Sequence, residues 1–136
     1  MINESAKIFS DGGARGNPGP AGIGAIIYDA KGKVLAEIAE YLGKTTNNQA
    51  EYRALIAALN KAKNLKLKVV DCYLDSELVV KQLNRQYKVK NKELSPLFLE
   101  VYNISLSFKK ITFNHIKREQ NKEADRLANE AMDRGK

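Results

Sequence analysis

Val69-Val70-Asp71-Cys72-Tyr73-Leu74-Asp75-Ser76 is the stretch whose neighbours decide the fold. Its first six residues are β-rich and apolar, and Asp75-Ser76 ends the run. Upstream, Tyr52, Leu55, Ile56 and Leu59 recur at i, i+3, i+4 and i+7, one stripe of an amphipathic helix. Thr46, Asn47 or Asn48 stands where its cap belongs. Downstream, Leu78, Val79, Gln82 and Leu83 indicate a short second helix. A strand flanked in sequence by helices has no tight hairpin to its neighbours, so it pairs through crossovers and in parallel.

Working outward, three strand signals precede the first helix. Lys7-Ile8-Phe9-Ser10 enters a Gly- and Pro-rich segment, Gly12 to Gly24, that reads as a turn. Ile23 to Tyr28 leaves it, Asp29-Ala30-Lys31-Gly32 turns again, and Val34 to Tyr41 returns. Towards the other end, Ser95-Pro96 pairs a capping residue with a proline suited to a first helical turn, predicting a third helix to about Ser107. Ile111 to Ile116 reads as a last strand. Asn121 opens a terminal helix with Ala124, Leu127, Ala128 and Ala131 on one face. The order βββαβααβα predicts an α/β fold, a five-stranded mixed sheet flanked by helices, with residues 1–136 forming one domain.

Composition narrows the function classes. Hydrophobic residues make up 43% and charged residues 29% of the 136, the balance of a globular protein, and no apolar run approaches the roughly 18 residues of a membrane span. The first residues, Met1-Ile2-Asn3-Glu4-Ser5, lack the pattern of a secretory leader, so a cytoplasmic location is expected. A lone cysteine, Cys72, cannot form an internal disulfide and reads as a small buried hydrophobe. With 23 Lys and Arg against 16 Asp and Glu, the net charge of +7 favours a polyanionic partner. No dimer signature is evident, and a monomer is expected.

Four carboxylates occupy similar local positions far apart in sequence. Asp11 and Asp75 end strands; Glu51 and Asp125 lie near the starts of helices. Such element ends are where α/β sheets build their sites. Oxygen-only ligands suit a hard divalent ion, Mg²⁺ or Mn²⁺. One histidine and one cysteine cannot supply the usual zinc ligands. Taken singly, Glu51 and Asp125 are also ordinary first-turn acids that favour a helix dipole.

The flanks of these acids resemble ribonuclease HI, in its short archaeal and bacterial form. The matching segments are Asp11-Gly12-Gly13-Ala14-Arg15-Gly16-Asn17-Pro18-Gly19-Pro20-Ala21-Gly22, Thr46-Asn47-Asn48-Gln49-Ala50-Glu51-Tyr52, Leu74-Asp75-Ser76-Glu77-Leu78-Val79 and Arg118 to Ala128. The resemblance implies an RNase H-like fold. It also implies hydrolysis of the RNA strand of an RNA–DNA hybrid by two metal ions, giving 3′-hydroxyl and 5′-phosphate ends. Asp11 would bridge both ions, Asp125 would serve the nucleophile side, and Glu51 and Asp75 the leaving-group side. Gly12 and Gly13 would let backbone approach the hybrid, Asn17 and Asn48 would contact it, and Thr46 and Asn47 would grip the DNA phosphate. Turn formation and capping are the competing readings for these polar residues. Double-stranded RNA is a second candidate partner.

Three departures stand out. Relatives often carry a catalytic histidine in a loop before the fourth carboxylate; here that loop is short and His115 falls inside the last expected strand. Arg118 is the expected substitute, contacting phosphate or product, since a guanidinium cannot act as a base. There is no Trp, so Tyr87, among Lys81, Arg85, Lys88, Lys90 and Lys92, is the candidate for stacking beside the DNA strand. Glu77 stands where a Gln is common. Gly43-Lys44-Thr45 mimics the end of a phosphate-binding loop, but Ile38 occupies the place of its first glycine.

Overall fold

The computed structural model describes residues 4–135. Met1, Ile2 and Asn3, on which the leader reading rests in part, lie outside them. The elements are β1 (Ser5–Ala14), β2 (Gly19–Asp29), β3 (Val34–Thr45), α1 (Asn47–Asn64), β4 (Val69–Leu74), α2 (Glu77–Leu83), α3 (Ser95–Ser105), β5 (Lys110–His115) and α4 (Lys122–Arg134), with a 3-10 turn at Arg118–Gln120. The sheet order is β3-β2-β1-β4-β5. β1, β2 and β3 pair antiparallel, whereas β4 pairs in parallel with both β1 and β5. This is the mixed α/β sheet that the helix-flanked run at Val69 requires.

The two faces of the sheet bury different helices. Ala6 and Ile8 of β1, Ala25 and Ile27 of β2, and Val70, Cys72 and Leu74 of β4 pack beneath Tyr52, Leu55, Ile56 and Leu59 of α1. Fully burying each such aliphatic side chain contributes about 1.5–3 kcal/mol. Tyr52 carries its hydroxyl into this core and donates it to Gln82 Oε1 at 2.7 Å, tying α1 to α2. The opposite face carries α4. A Cβ on Gly24 would overlap the Ala124 carbonyl and the Ala128 amide, so the missing side chain is what lets α4 lie directly on β2.

That close approach corrects the reading of Gly12 to Gly24 as one turn. β1 runs on to Ala14 and β2 begins at Gly19, leaving only residues 15–18 to turn. Gly12, Gly22 and Gly24 are strand residues whose absent side chains admit helix backbone, a signal that imitates turn chemistry in the sequence. Asp11 accordingly lies inside β1 rather than at its end. β3 also runs four residues further than expected, to Thr45, which places Gly43-Lys44-Thr45 in a strand. Ser95 does not cap α3: Leu94 occupies that position without a side-chain bond, and Ser95 donates its hydroxyl back to the Val89 and Asn91 carbonyls. α3 stops at Ser105 rather than Ser107. In α2 the buried side is Val79, Val80, Gln82 and Leu83, while Leu78 faces solvent.

Candidate active site

The parallel pairing of β1 with β4 ends at the pair Ser10 and Leu74. Asp11 and Asp75 are the next residues on, so the two acids lie side by side where β4 ends and β1 runs on against β2 alone, at the carboxyl end of the parallel pair, where α/β sheets place ligands. Asp11 pairs across with Gly24, the residue beneath α4, and α4 brings Asp125 to the same cleft in its first turn. Glu51 arrives from the other face. It lies in the first half of α1, and its Oε1 accepts the main-chain N–H of Gly12 at 3.0 Å. A Cβ on Gly12 would overlap the Ala50 carbonyl, so Gly12 is what allows α1 this near.

Carboxylate oxygens of Asp11, Glu51 and Asp75 lie within 4.8 Å of one another. Asp125 completes the lining of a cleft of about 380 Å³, together with Gly12, Gly13, Asn47, Asn48 and Arg118. Arg118 Nη2 stands 3.7 Å from Asp125 Oδ1. Burial of the Asp11 carboxylate, then the charges of Asp75 and Asp125, push its pKa from 3.8 to about 7, against a hydrogen bond with Glu51 that works the other way. Glu51 is pushed well up, first by burial and then by the neighbouring Asp11 carboxylate. Its Oε2 is buried with no hydrogen-bond partner among the described residues. Buried acids whose pKa values are raised, with one oxygen unsatisfied, fit a hard cation that would replace a proton and accept the lone pairs.

A family model described as reverse transcriptase-like matches residues 9–131. Ribonuclease HI of Halobacterium salinarum is 38% identical over 125 residues, which cover 92% of this chain and 63% of that protein. Its crystal structure superposes with a TM-score of 0.93 at 37% identity, covering 96% of this chain and 98% of the other. The chain belongs to the ribonuclease HI family. A bifunctional protein of Mycobacterium tuberculosis is 45% identical over 93% of this chain, which spans about a third (35%) of that protein's length. The solved N-terminal RNase H domain of that protein matches with a TM-score of 0.94 at 43% identity, over 96% of this chain and 95% of the other. LC11-RNase H1, solved in complex with RNA/DNA hybrid, gives 0.90 at 47% identity, over 95% and 97%.

The other expected residues of the ribonuclease H cleft divide by their bonds. Asn48 and Gly13 line it without a competing role. Asn47 also lines it, yet its Oδ1 accepts the Ala14 N–H at 2.7 Å and its own N–H donates to Asn17 Oδ1 at 3.0 Å. The Asn17–Asn47 bond thus clasps the β1–β2 turn to the start of α1. Thr46 is the cap of α1, accepting the Gln49 N–H at 3.2 Å. His115 lies away from the four acids, in a shallow groove with Glu77, Lys81 and Asn84. Tyr87 is exposed on the α2–α3 connection with Lys81 Nζ 5.0 Å from its ring centre, and Lys88, Lys90 and Lys92 are exposed beside it. Glu77 pairs with Lys81 at 2.8 Å.

Among the residues that the sequence reading did not assign to the site, Arg15 and Asn121 stand out. Arg15, at the turn, lines it and pairs with Asp133 of α4 at 2.6 Å. Asn121, read as a helix cap, makes no capping bond and donates into the site instead. A register argument could have found Arg15, which sits opposite α4 across the turn. Asn121 gave no signal distinct from capping.

Proposed function

We propose that this chain is an endoribonuclease that hydrolyses the RNA strand of RNA–DNA hybrids with two divalent ions, Mg²⁺ or Mn²⁺, leaving 3′-hydroxyl and 5′-phosphate ends. The observation that carries this is the convergence of Asp11, Glu51 and Asp75 on one oxygen-only cluster, with Asp125 lining the same cleft. In this reading Asp11, Glu51, Asp75 and Asp125 would hold the ions, Asp11 serving both, Asp125 the nucleophile side, and Glu51 and Asp75 the leaving-group side. When bound, the ions lower the pKa of an attacking water and neutralise charge building on the leaving oxygen.

The chain's own groups supply position and recognition. The Gly12 N–H fixes the Glu51 carboxylate towards Asp11. Arg118, exposed at the mouth, offers a cation to a phosphate oxygen beside Asp125. Gly13, Asn47 and Asn48 present backbone and amide groups along the cleft, with Asn17 and Thr46 holding that surface in shape. A 2′-hydroxyl reaching Glu51 would distinguish RNA from DNA. LC11-RNase H1, at 47% identity, is itself seen with an RNA/DNA hybrid, which supports the choice of substrate. The domain is taken to act as a monomer over residues 1–136, in the cytoplasm. No helix among the described residues is long and apolar enough to cross a membrane.

The test offers labelled RNA–DNA hybrid, double-stranded RNA, double-stranded DNA and single-stranded RNA with Mg²⁺, Mn²⁺ or EDTA. Hybrid cleavage abolished by EDTA and by Asp11→Asn is expected. A hybrid bound but left intact with either metal would make the chain a binding module. Cleavage of duplex DNA alone would make it a DNA nuclease.

A further inference from the structure

Asn121 is the residue before α4, and only 1% of it is exposed. An asparagine there ordinarily accepts an N–H from the first helical turn. This one makes no such bond. Its Nδ2 donates to the Ser10 carbonyl at 2.9 Å and to Asp75 Oδ2 at 3.2 Å. Both partners are acceptors, so only the amide nitrogen fits that position and the orientation of the side chain is determined. Its Oδ1 is buried without a partner among the described residues, a cost the side chain bears while its amide is spent on β1 and Asp75.

We infer that Asn121 is a positioning residue that sets the Asp75 carboxylate and locks the start of α4 to β1 beside Asp11. The inference rests on the metal-site reading above. One side chain touches Asp75, holds the carbonyl that precedes Asp11, and begins the helix that carries Asp125 four residues on. Three of the four acids are thereby referred to one buried amide. The bond to Asp75 leaves that carboxylate's other oxygen, Oδ1, for a cation, and it restricts rotation that an isolated aspartate would keep. Outer hydrogen bonds of this kind orient metal-binding carboxylates, and their loss typically weakens metal binding about 10–100-fold.

The experiment measures Mn²⁺ binding by calorimetry in the intact chain, its Asn121→Ala variant, Asp75→Asn, and the double variant, with circular dichroism on each. Asn121→Ala is expected to raise the Mn²⁺ Kd at least about 10-fold in the native background. In the Asp75→Asn background the same change should cost less than about twofold, because the carboxylate through which it acts is already neutral. Hybrid cleavage should show kcat falling with KM unchanged. An unaltered Kd, or equal losses in both backgrounds, would overturn the inference and leave Asn121 a packing residue. If Asn121→Ala does not fold, the Asn121 side-chain amide signal in ¹⁵N NMR decides. A shift on Mg²⁺ addition that vanishes in Asp75→Asn supports the inference, and no shift overturns it. A native chain that binds neither ion would sink the metal-site reading itself, a result distinct from native binding with an indifferent variant.

Discussion

Glu51 Oε1 accepts the N–H of Gly12 at 3.0 Å while its Oε2, equally buried, has no partner among the described residues. The two oxygens of one carboxylate therefore differ, one holding α1 to β1 and the other left without a partner in a carboxylate that belongs to the acid cluster. Glu51→Gln can keep the first bond through its amide oxygen and removes the charge. The metal-free variant should be as stable as the native chain or more so by up to about 1 kcal/mol, since a buried like charge is relieved. Hybrid cleavage should fall at least about 100-fold, because losing a direct ligand costs no less than losing an outer one. Thermal melts and steady-state rates on the same samples check both halves.

The Asp11 pKa of about 7 sets a pH dependence whose sign is determined. The group is raised in the folded protein from 3.8, so its contribution to stability is full below about 4 and disappears as pH rises through about 7. The metal-free chain should lose stability across that window, and Asp11→Asn should flatten the loss. Mn²⁺ must displace the proton, so its affinity should increase through pH 7 and proton release should be measurable on binding. Melting curves against pH, with and without Mn²⁺, are the check. A metal-free profile identical in native chain and variant would refute the assignment to Asp11.

The mixed character of the sheet was legible because one apolar run, Val69 to Leu74, sits between helix-period segments and so must pair in parallel. The four acids were legible through their flanks. Contacts between elements were not. Gly22 and Gly24 look like turn residues in one dimension, because the helix that needs them is a hundred residues away along the chain. Thr46, Asn47 and Asn17 offer the same polar atoms to a turn, a cap or a phosphate, and only their bonds in the fold separate those roles. The sequence favours Arg118 over His115 because the histidine falls inside the last strand, and β5 carries it to a different groove.

Glycine substitutions should divide by what a methyl group would meet. Gly24→Ala drives a Cβ into the backbone of α4 and should cost roughly 2–3 kcal/mol or more, moving Asp125 and lowering activity. Gly43→Ala meets nothing within 4 Å and carries only the strain of its φ of +77°, about 1 kcal/mol, with activity retained. Gly13→Ala is the informative one. Its nearest neighbour is Asn47 Oδ1 at 3.8 Å, so stability should not change, while a methyl on the cleft lining should raise KM for the hybrid. Gly13→Ala with an unchanged KM would mean that the hybrid backbone does not approach there.

Arg118 and His115 separate by position. The Arg118 guanidinium reaches 3.7 Å from Asp125 with its side chain 80% exposed, so little in the fold restrains it from a bound phosphate. His115 shares its groove with Glu77 and Lys81 instead, outside the lining of the acid cleft. A charge-assisted hydrogen bond is worth about 1.5–3 kcal/mol, so Arg118→Ala should lower kcat/KM about 10–100-fold. Arg118→Lys should recover only part of that, because an ammonium cannot present the planar fork. His115→Ala should leave kcat within about twofold and its pH profile unmoved, since the exposed imidazole lines a different groove from the four acids. Rates for the three variants between pH 6 and 9 distinguish the residues. A large loss confined to His115→Ala would transfer the assisting role to the histidine.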